Sequence, residues 1–547
     1  MADTNPVALW IIGVISVVLF LTTNLPWQLD DYDQAKQAFT SFQMIKEGHW
    51  FYQGTPRERV ATKPPLIGWI SAGTFAITRS WDVAWRLPSL LAALAISVIL
   101  FRAATAFERD GSSRLVPPSG GEKSHRSPTS LPTSVLIATS AFVFNLLTPR
   151  LATLVRTDMP LALFVFAIGL LIWQKIRGRE QWNSRDRVWI FALLTAAMLI
   201  KGPIVCAFLL PGILAFEIRG GRRHRPSRTG TGHHSAWCGW WPWLASLGIF
   251  LVWVIGGSIL VPGFFDQVVM REFLARFGET VHRAQPLLFY LPHLLHKFFP
   301  WTVLMIALAI IDLRARRWKI GAAFWEMAPE TVWLIYWVFG GLVVMSIIPS
   351  KRVDRIFPII PPLCLLLAVQ IGKSPTCCSH GSASRPSLRS DVKQTGHPQS
   401  FGEASRPMAT GNELMRPRVL RWSLAALLTS ILFTSGYTVA KVVSGYRVRR
   451  DALAVFGHAV RNEAAAHNWR YEVLKTGDEG LLLYLERTHF IEPHRAVVEW
   501  NRGNLDALVA PADTAPALMG DLHDAALSRL TSDQRGNHGG AYVLISR

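Results

Sequence analysis

Asp30-Asp31-Tyr32-Asp33-Gln34-Ala35-Lys36 and, one loop further on, Lys63-Pro64-Pro65-Leu66 decide how this chain is read. They follow an uncharged apolar run, from about Val7 to Thr23, of membrane-crossing character. Carboxylates at the exit of a membrane helix are costly unless they do chemistry or meet a partner. A carboxylate cluster followed by a lysine that opens the next apolar run is what a membrane enzyme needs for acid–base work and for holding an anion.

Working outward, further apolar runs recur at Leu87–Phe101, Leu131–Leu147, from Pro160, on both sides of Lys201-Gly202-Pro203, and at Trp240–Leu260, Phe289–Ile311, Val332–Ile348, Phe357–Ile371 and Trp422–Val442. Half of the 547 residues are hydrophobic and only 17% are charged. A soluble chain of this length would carry more charge. The reading is an all-α polytopic membrane domain of about eleven spans with juxtamembrane helices. Pro65–Thr78 is short for a crossing and is read as lying flat. Asp33–Lys46 places Ala35, Ala38, Phe39, Phe42 and Ile45 at helical spacing, so an amphipathic helix along the membrane surface is predicted.

The net charge of +20 does not point to nucleic acid. The positive residues cluster in alternate loops, with no basic helix or aromatic platform. Lys175–Arg187, Arg219–Arg228 and Arg314–Lys319 are such clusters, and two Pro/Ser/Gly-rich basic stretches, 109–132 and 373–421, are linkers. A cytoplasmic amino terminus puts all of them inside. The same alternation puts Asp33, Lys63, Asp158, Lys201, His282 and Lys351 on the outer face. The first run, with no small-residue cleavage site, is an uncleaved anchor. The five cysteines follow no zinc or disulfide spacing.

Four segments result: a transmembrane catalytic domain over 1–372, a cytoplasmic linker over 373–421, a final transmembrane helix over 422–444, and a small α/β extracytoplasmic domain over 445–547. The tail is assigned from a helix-like Asp451–His467 and the short apolar runs Tyr471–Leu474, Ala507–Val509 and Tyr542–Ile545.

Group transfer from a lipid-linked phosphate needs a carboxylate to take the acceptor's proton and cations for the departing phosphate. Asp33 and Asp158 offer the first, and Lys36, Lys63 and Arg156 the second. Lys36 is about one helical turn from Asp33, so both share a face. Each residue alone has an ordinary explanation. Asp33–Lys36 suits a surface helix pair, Asp158 an N-cap before Pro160, and Lys63 a snorkelling helix start. Their common face is what singles them out.

Asp33-Gln34-Ala35-Lys36, Glu47-Gly48-His49-Trp50, Lys63-Pro64-Pro65-Leu66 and Arg86-Leu87-Pro88-Ser89 together resemble the GT-C polytopic membrane glycosyltransferases. The likeness is to the lipid A aminoarabinose transferases and their protein O-mannosyltransferase relatives. Arg156-Thr157-Asp158, Lys201-Gly202-Pro203, Gln285–Pro292, Phe299-Pro300-Trp301, Ser350-Lys351 and Pro358–Pro361 continue it in order over residues 1–372. The resemblance implies inverting transfer of a sugar from a polyprenyl-phosphate donor to a lipid or protein acceptor of the cell envelope. It casts Asp33 and Asp158 as catalytic, and Lys36, Lys63, Arg156, Lys351 and Arg355 as binding the donor phosphate. It offers His282 as a ligand for a divalent metal. Three departures stand out: Gln34 where a glutamate is usual, Arg355 where a tyrosine is common, and Thr62 where the aminoarabinose enzymes hold a metal-binding glutamate. A transporter or lipid flippase is the alternative. It would show ionisable groups within its spans and an internal repeat, whereas here the ionisable groups lie mainly at span ends and no repeat is visible.

Overall fold

The computed structural model describes residues 6–29, 32–56, 59–113, 133–223, 235–276, 285–373, 415–532 and 541–547. His282, Asp30, Asp31, Cys377, Cys378 and most of both basic linkers lie outside these residues.

The chain begins with α1 (Pro6–Thr22), α2 (Tyr32–Glu47), α3 (Leu66–Thr78) and α4 (Trp81–Ser113). Helices α5 (Thr133–Val143) and α6 (Thr148–Ala152) are short; α7 (Asp158–Gly178), α8 (Ser184–Lys201), α9 (Ile204–Arg223) and α10 (Trp241–Leu260) are long. A π-helical segment, Phe265–Phe273, leads towards α11 (Tyr290–Lys297), α12 (Trp301–Ala315), α13 (Ile320–Glu326) and α14 (Pro329–Ile347). A 3-10 segment, Val353–Ile359, runs into α15 (Ile360–Lys373), and α16 (Met415–Arg447) is the last long helix.

Six of these helical stretches are long and apolar enough to cross a membrane, seven if one bent pair counts as a span. This is fewer than the sequence reading of about eleven. The shortfall lies where apolar runs are cut short or carry charge: α5 has only 11 residues, and α8 opens on Arg185, Asp186 and Arg187. The run Phe289–Ile311, read as one crossing, is two helices that meet at 100°. Pro300 stands at their junction; it has no N–H to donate and its ring obstructs a continuous helical turn.

Close backbone packing holds the bundle. A Cβ on Gly212 of α9 would lie 3.0 Å from the Trp337 Cα of α14, and one on Gly340 would lie 3.0 Å from the Gly212 nitrogen. Only small residues permit that approach. Where helices cannot touch so closely, tryptophans fill the space: Trp333 is fully buried and its indole N–H donates to the Gly169 carbonyl at 3.0 Å.

The tail adds α17 (Ala452–Ala466), β1 (Tyr471–Val473), α18 (Glu479–Tyr484), α19 (Pro493–Asn501), β2 (Ala507–Pro511), α20 (Ala515–Met519), β3 (Ala526–Thr531) and β4 (Tyr542–Ser546). The sheet runs β1-β2-β4-β3, with β1 parallel to β2 and the other pairs antiparallel. In the central strands β2 and β4, alternate residues enter two cores. Val509 and Leu544 face one, Leu508 and Ile545 the other. The first core does not stop at the tail. It continues into Ala35, Ala38, Phe39 and Phe42 of α2 and Trp81 and Trp85 of α4. The apolar face of α2, predicted to lie on lipid, is therefore covered by the tail, chiefly by Leu481–Leu485. Of that face, Ile45 alone remains exposed, at 37%.

Candidate active site

Two contacts pin the entry to α2. The Leu29 N–H donates to the Tyr484 hydroxyl of the tail at 2.8 Å. The Val155 N–H, in the turn before α7, donates to Gln34 Oε1 at 3.2 Å. Gln34 thus serves as a buried neutral acceptor for a backbone amide. With its apolar face under the tail, α2 presents Asp33, Lys36, Gln37 and Thr40 to an open cavity of about 270 Å³.

Five other segments close this cavity. Thr62 and Lys63 come from the loop before α3, Arg156 and Asp158 from the start of α7, and Lys201 from the end of α8. Gln267, Arg271 and Glu272 come from the π-helical segment; Arg352, Asp354 and Arg355 come from the turn leading into α15. Among the residues singled out in the sequence, Asp33, Lys36, Lys63, Arg156, Asp158 and Arg355 all line it. Lys351 does not: its ammonium donates to the Gln285 carbonyl at 2.9 Å, and the neighbouring Arg352 takes the place at the cavity.

The charges interlock. Arg352 bonds to Asp33, and Lys201 bonds to Asp158. Arg156 meets Asp354 at 2.8 Å. Glu272 accepts from the Thr62 hydroxyl at 2.8 Å and from Lys63 at 3.4 Å, while Lys36 reaches the Thr62 hydroxyl at 3.4 Å. Arg355 donates to the Ser350 carbonyl at 2.5 Å, which braces the turn. Burial pulls the Asp33 carboxyl upward, but the bonded Arg352 guanidinium, with Arg156 and Lys63 behind it, outweighs this and holds it below the usual carboxylate range. For Lys36 burial dominates. Glu272, Glu479 and Asp33 favour its charge, Arg271 opposes it, and the net shift is downward.

Arg352, Asp354, Arg271 and Glu272 were not found by sequence reasoning. Arg352 had a signal, as the neighbour of Lys351. Glu272 sits in a polar stretch whose π-helical winding departs from the usual helical period.

His282, the metal ligand that the resemblance implies, lies outside the described residues. Among the described residues no group of three or more His, Cys, Asp or Glu side chains comes together to hold one. Thr62, one of the departures noted in the sequence, donates its hydroxyl to Glu272.

A second cavity, of about 500 Å³, lies beyond Arg156, which lines both. Trp27, Gln28, Arg86, Arg150, Lys441 and Arg450 are among its walls. Arg86 is 3% exposed; one of its terminal nitrogens bonds to the Asp82 carbonyl at 2.8 Å, and the other is buried with no hydrogen-bond partner.

No model of a known protein family matches the chain, and no curated protein matches it in sequence. Solved structures do match it in fold. They are structures of ArnT, a lipid A aminoarabinose transferase, from Cupriavidus metallidurans. The structure with undecaprenyl phosphate bound superposes with a TM-score of 0.63 and the apo structure with 0.57. Each is 18% identical to this chain, and the match covers 99% of this chain and 98% of the other.

Proposed function

We propose that this chain is an integral-membrane glycosyltransferase that moves a sugar from a polyprenyl-phosphate donor to a lipid or protein acceptor on the extracytoplasmic face. The observation that carries this reading is the meeting of Asp33 and Lys36 with Lys63 in one cavity, although they arise from separate segments. The undecaprenyl phosphate held by the ArnT structure of the same fold supports the donor class.

In this reaction the acceptor oxygen attacks the anomeric carbon from the face opposite the phosphate, so the configuration inverts. The bond from that carbon to the phosphate oxygen breaks, and the lipid phosphate leaves with the electron pair. Asp33 takes the acceptor's proton. Lys36 and Lys63 balance the charge that grows on the phosphate, and Arg156 and Arg355 complete its cradle. Asp158 holds Lys201 and shapes the floor. Arg352, bonded to Asp33 at rest, keeps that carboxylate ionised and is displaced from it as the acceptor arrives. The cavity beyond Arg156 takes the acceptor headgroup.

The short helices α1 and α5, with α8 and α9, bring the crossings to about eleven when α3 lies flat. The catalytic domain spans 1–372, the linker 373–421 is cytoplasmic, and 422–444 is the last crossing. The tail, 445–547, is extracytoplasmic, and the amino terminus is cytoplasmic.

The test uses the purified chain in vesicles with a polyprenyl phosphate carrying a labelled sugar and a crude envelope-lipid and protein extract. Label should leave the carrier for an acceptor, with loss of transfer in Asp33→Asn. Label that stays on the carrier and only changes leaflet would overturn this reading in favour of a flippase.

A further inference from the structure

Four carboxylates line the cavity among the described residues: Asp33, Asp158, Glu272 and Asp354. Glu272 is set apart by its partners. Its Oε1 accepts from the Thr62 hydroxyl at 2.8 Å and from the Lys63 ammonium at 3.4 Å, and Lys36 reaches that same hydroxyl at 3.4 Å. One carboxylate oxygen thus occupies the point on which the donors of the loop before α3 converge, beside both lysines read as phosphate-binding. The winding of its own segment puts it there. Gln267 Oε1 accepts the Val60 N–H at 2.9 Å, so Gln267 and Glu272 hold successive parts of one loop. They stand five residues apart, the spacing of a π-turn. In an α-helix the same two side chains would diverge by about 140°. The Glu272–Lys63 contact is partly open, with 21% and 29% of the two side chains exposed, so another anion can take the place of the carboxylate.

We propose that Glu272 is an internal competitor for the phosphate site: it holds Thr62 and Lys63 when no lipid phosphate is bound, and it drives the product lipid phosphate out after transfer. This rests on the reading of Lys36 and Lys63 as the cations that hold the phosphate. The chemistry gives such a competitor a task. The donor is a phosphodiester with one negative charge. Transfer breaks the bond from the anomeric carbon to the phosphate oxygen and leaves the lipid as a phosphate monoester, with about −1.5 to −2 charges near pH 7. A cluster of lysines therefore attracts the product more strongly than the donor, and would slow turnover by keeping it. Thr62 has a single hydroxyl proton, so it cannot serve Glu272 and a phosphate oxygen at once. Repulsion from the Glu272 carboxylate weighs on both phosphates, and more on the one of higher charge. The carboxylate thus narrows the gap in affinity between product and donor.

The test is equilibrium binding of radiolabelled undecaprenyl phosphate to the full chain in lipid nanodiscs, counting only the saturable part. Glu272→Gln should lower the Kd about tenfold, the scale of one charge-assisted contact. Glu272→Asp draws the carboxylate back from Thr62 and should give a smaller drop; it also serves if the glutamine variant does not fold. In a Lys63→Ala background the gain from Glu272→Gln should largely vanish, which a merely structural role of Glu272 would not produce. In transfer assays, Glu272→Gln should lower the inhibition constant of added undecaprenyl phosphate, and should slow steady-state turnover more than single-turnover transfer. Glu486→Gln, in the tail, should leave both readouts unchanged. A Kd that stays the same or rises in Glu272→Gln, or in Glu272→Asp should the former not fold, overturns the proposal; a rise would mean that Glu272 aims the lysines at the phosphate. The expected shift in binding, with no sugar transfer in the parent chain, sinks the glycosyltransferase reading and leaves this one standing. No saturable binding to parent or variant sinks both.

Discussion

Two carboxylates share the cavity and meet opposite circumstances. Asp158 and its partner Lys201 each expose 9% of their side chains, whereas Asp33 and Arg352 expose 36% and 43%. The first pair is largely buried in the cavity wall, between the start of α7 and the end of α8, and each charge is answered by the other. The second pair is open to whatever enters. A largely buried ion pair is strongly destabilising to break. An open one contributes little to stability and can trade its partner for a substrate. In the function proposed above, this difference is what gives the proton transfer to Asp33 and the support of the cavity wall to Asp158, although both were expected from the sequence to be catalytic.

The sharpest way to break this comparison is Asp33→Asn. Transfer should fall by about 10²–10⁴-fold, the usual share of a general base, while thermal unfolding in detergent stays unchanged. Near-normal transfer would remove Asp33 from the reaction. Asp158→Asn should do the reverse. It leaves Lys201 buried beside a neutral amide, at a cost of about 3–5 kcal/mol in unfolding free energy. The double change Asp158→Leu with Lys201→Met should recover most of that loss. If Asp158→Asn kept full stability and lost transfer, the division of labour would be wrong.

Lys63→Ala should raise donor KM about tenfold, the scale of one charge-assisted bond to phosphate, with a smaller change in kcat. Arg352→Gln tests the open pair by pH. Arg352 holds the Asp33 carboxyl low, so Asp33 stays ionised as the medium is acidified. Without the guanidinium that carboxyl rises, and the acid limb of the pH–rate profile should move to higher pH; an unmoved limb would deny the coupling. The smallest effect belongs to Glu486, which meets Lys46 at 3.2 Å and Arg461 at 2.7 Å near the surface. Glu486→Gln should change unfolding free energy by no more than about 1 kcal/mol.

What could be read from the sequence was whatever short local patterns announce. Asp33, Lys63 and Asp158 each stand at the end of an apolar run, where a charge draws notice. Three of the four tail strands were visible as short apolar runs. The strand missed, β3, is mostly exposed and offers little apolar signal. The choice between Lys351 and Arg352 depends on how the following 3-10 turn rotates adjacent side chains, which composition does not reveal. The partner of the apolar face of α2 was also out of reach. Lipid and a folded tail present the same demand to Phe39 and Phe42, and only long-range packing chooses between them. The 100° bend followed from Pro300, yet the apolar residues on both sides read as one crossing.

Because α2 and the tail are built around a common set of buried aromatic and aliphatic side chains, they cannot be exchanged as independent cassettes. A chimera that borrowed another protein's tail would have to import a matching surface for Phe39, Phe42 and Trp81 as well. A version truncated after α16 would leave those rings facing water beside Asp33, inviting aggregation before any question of activity arose.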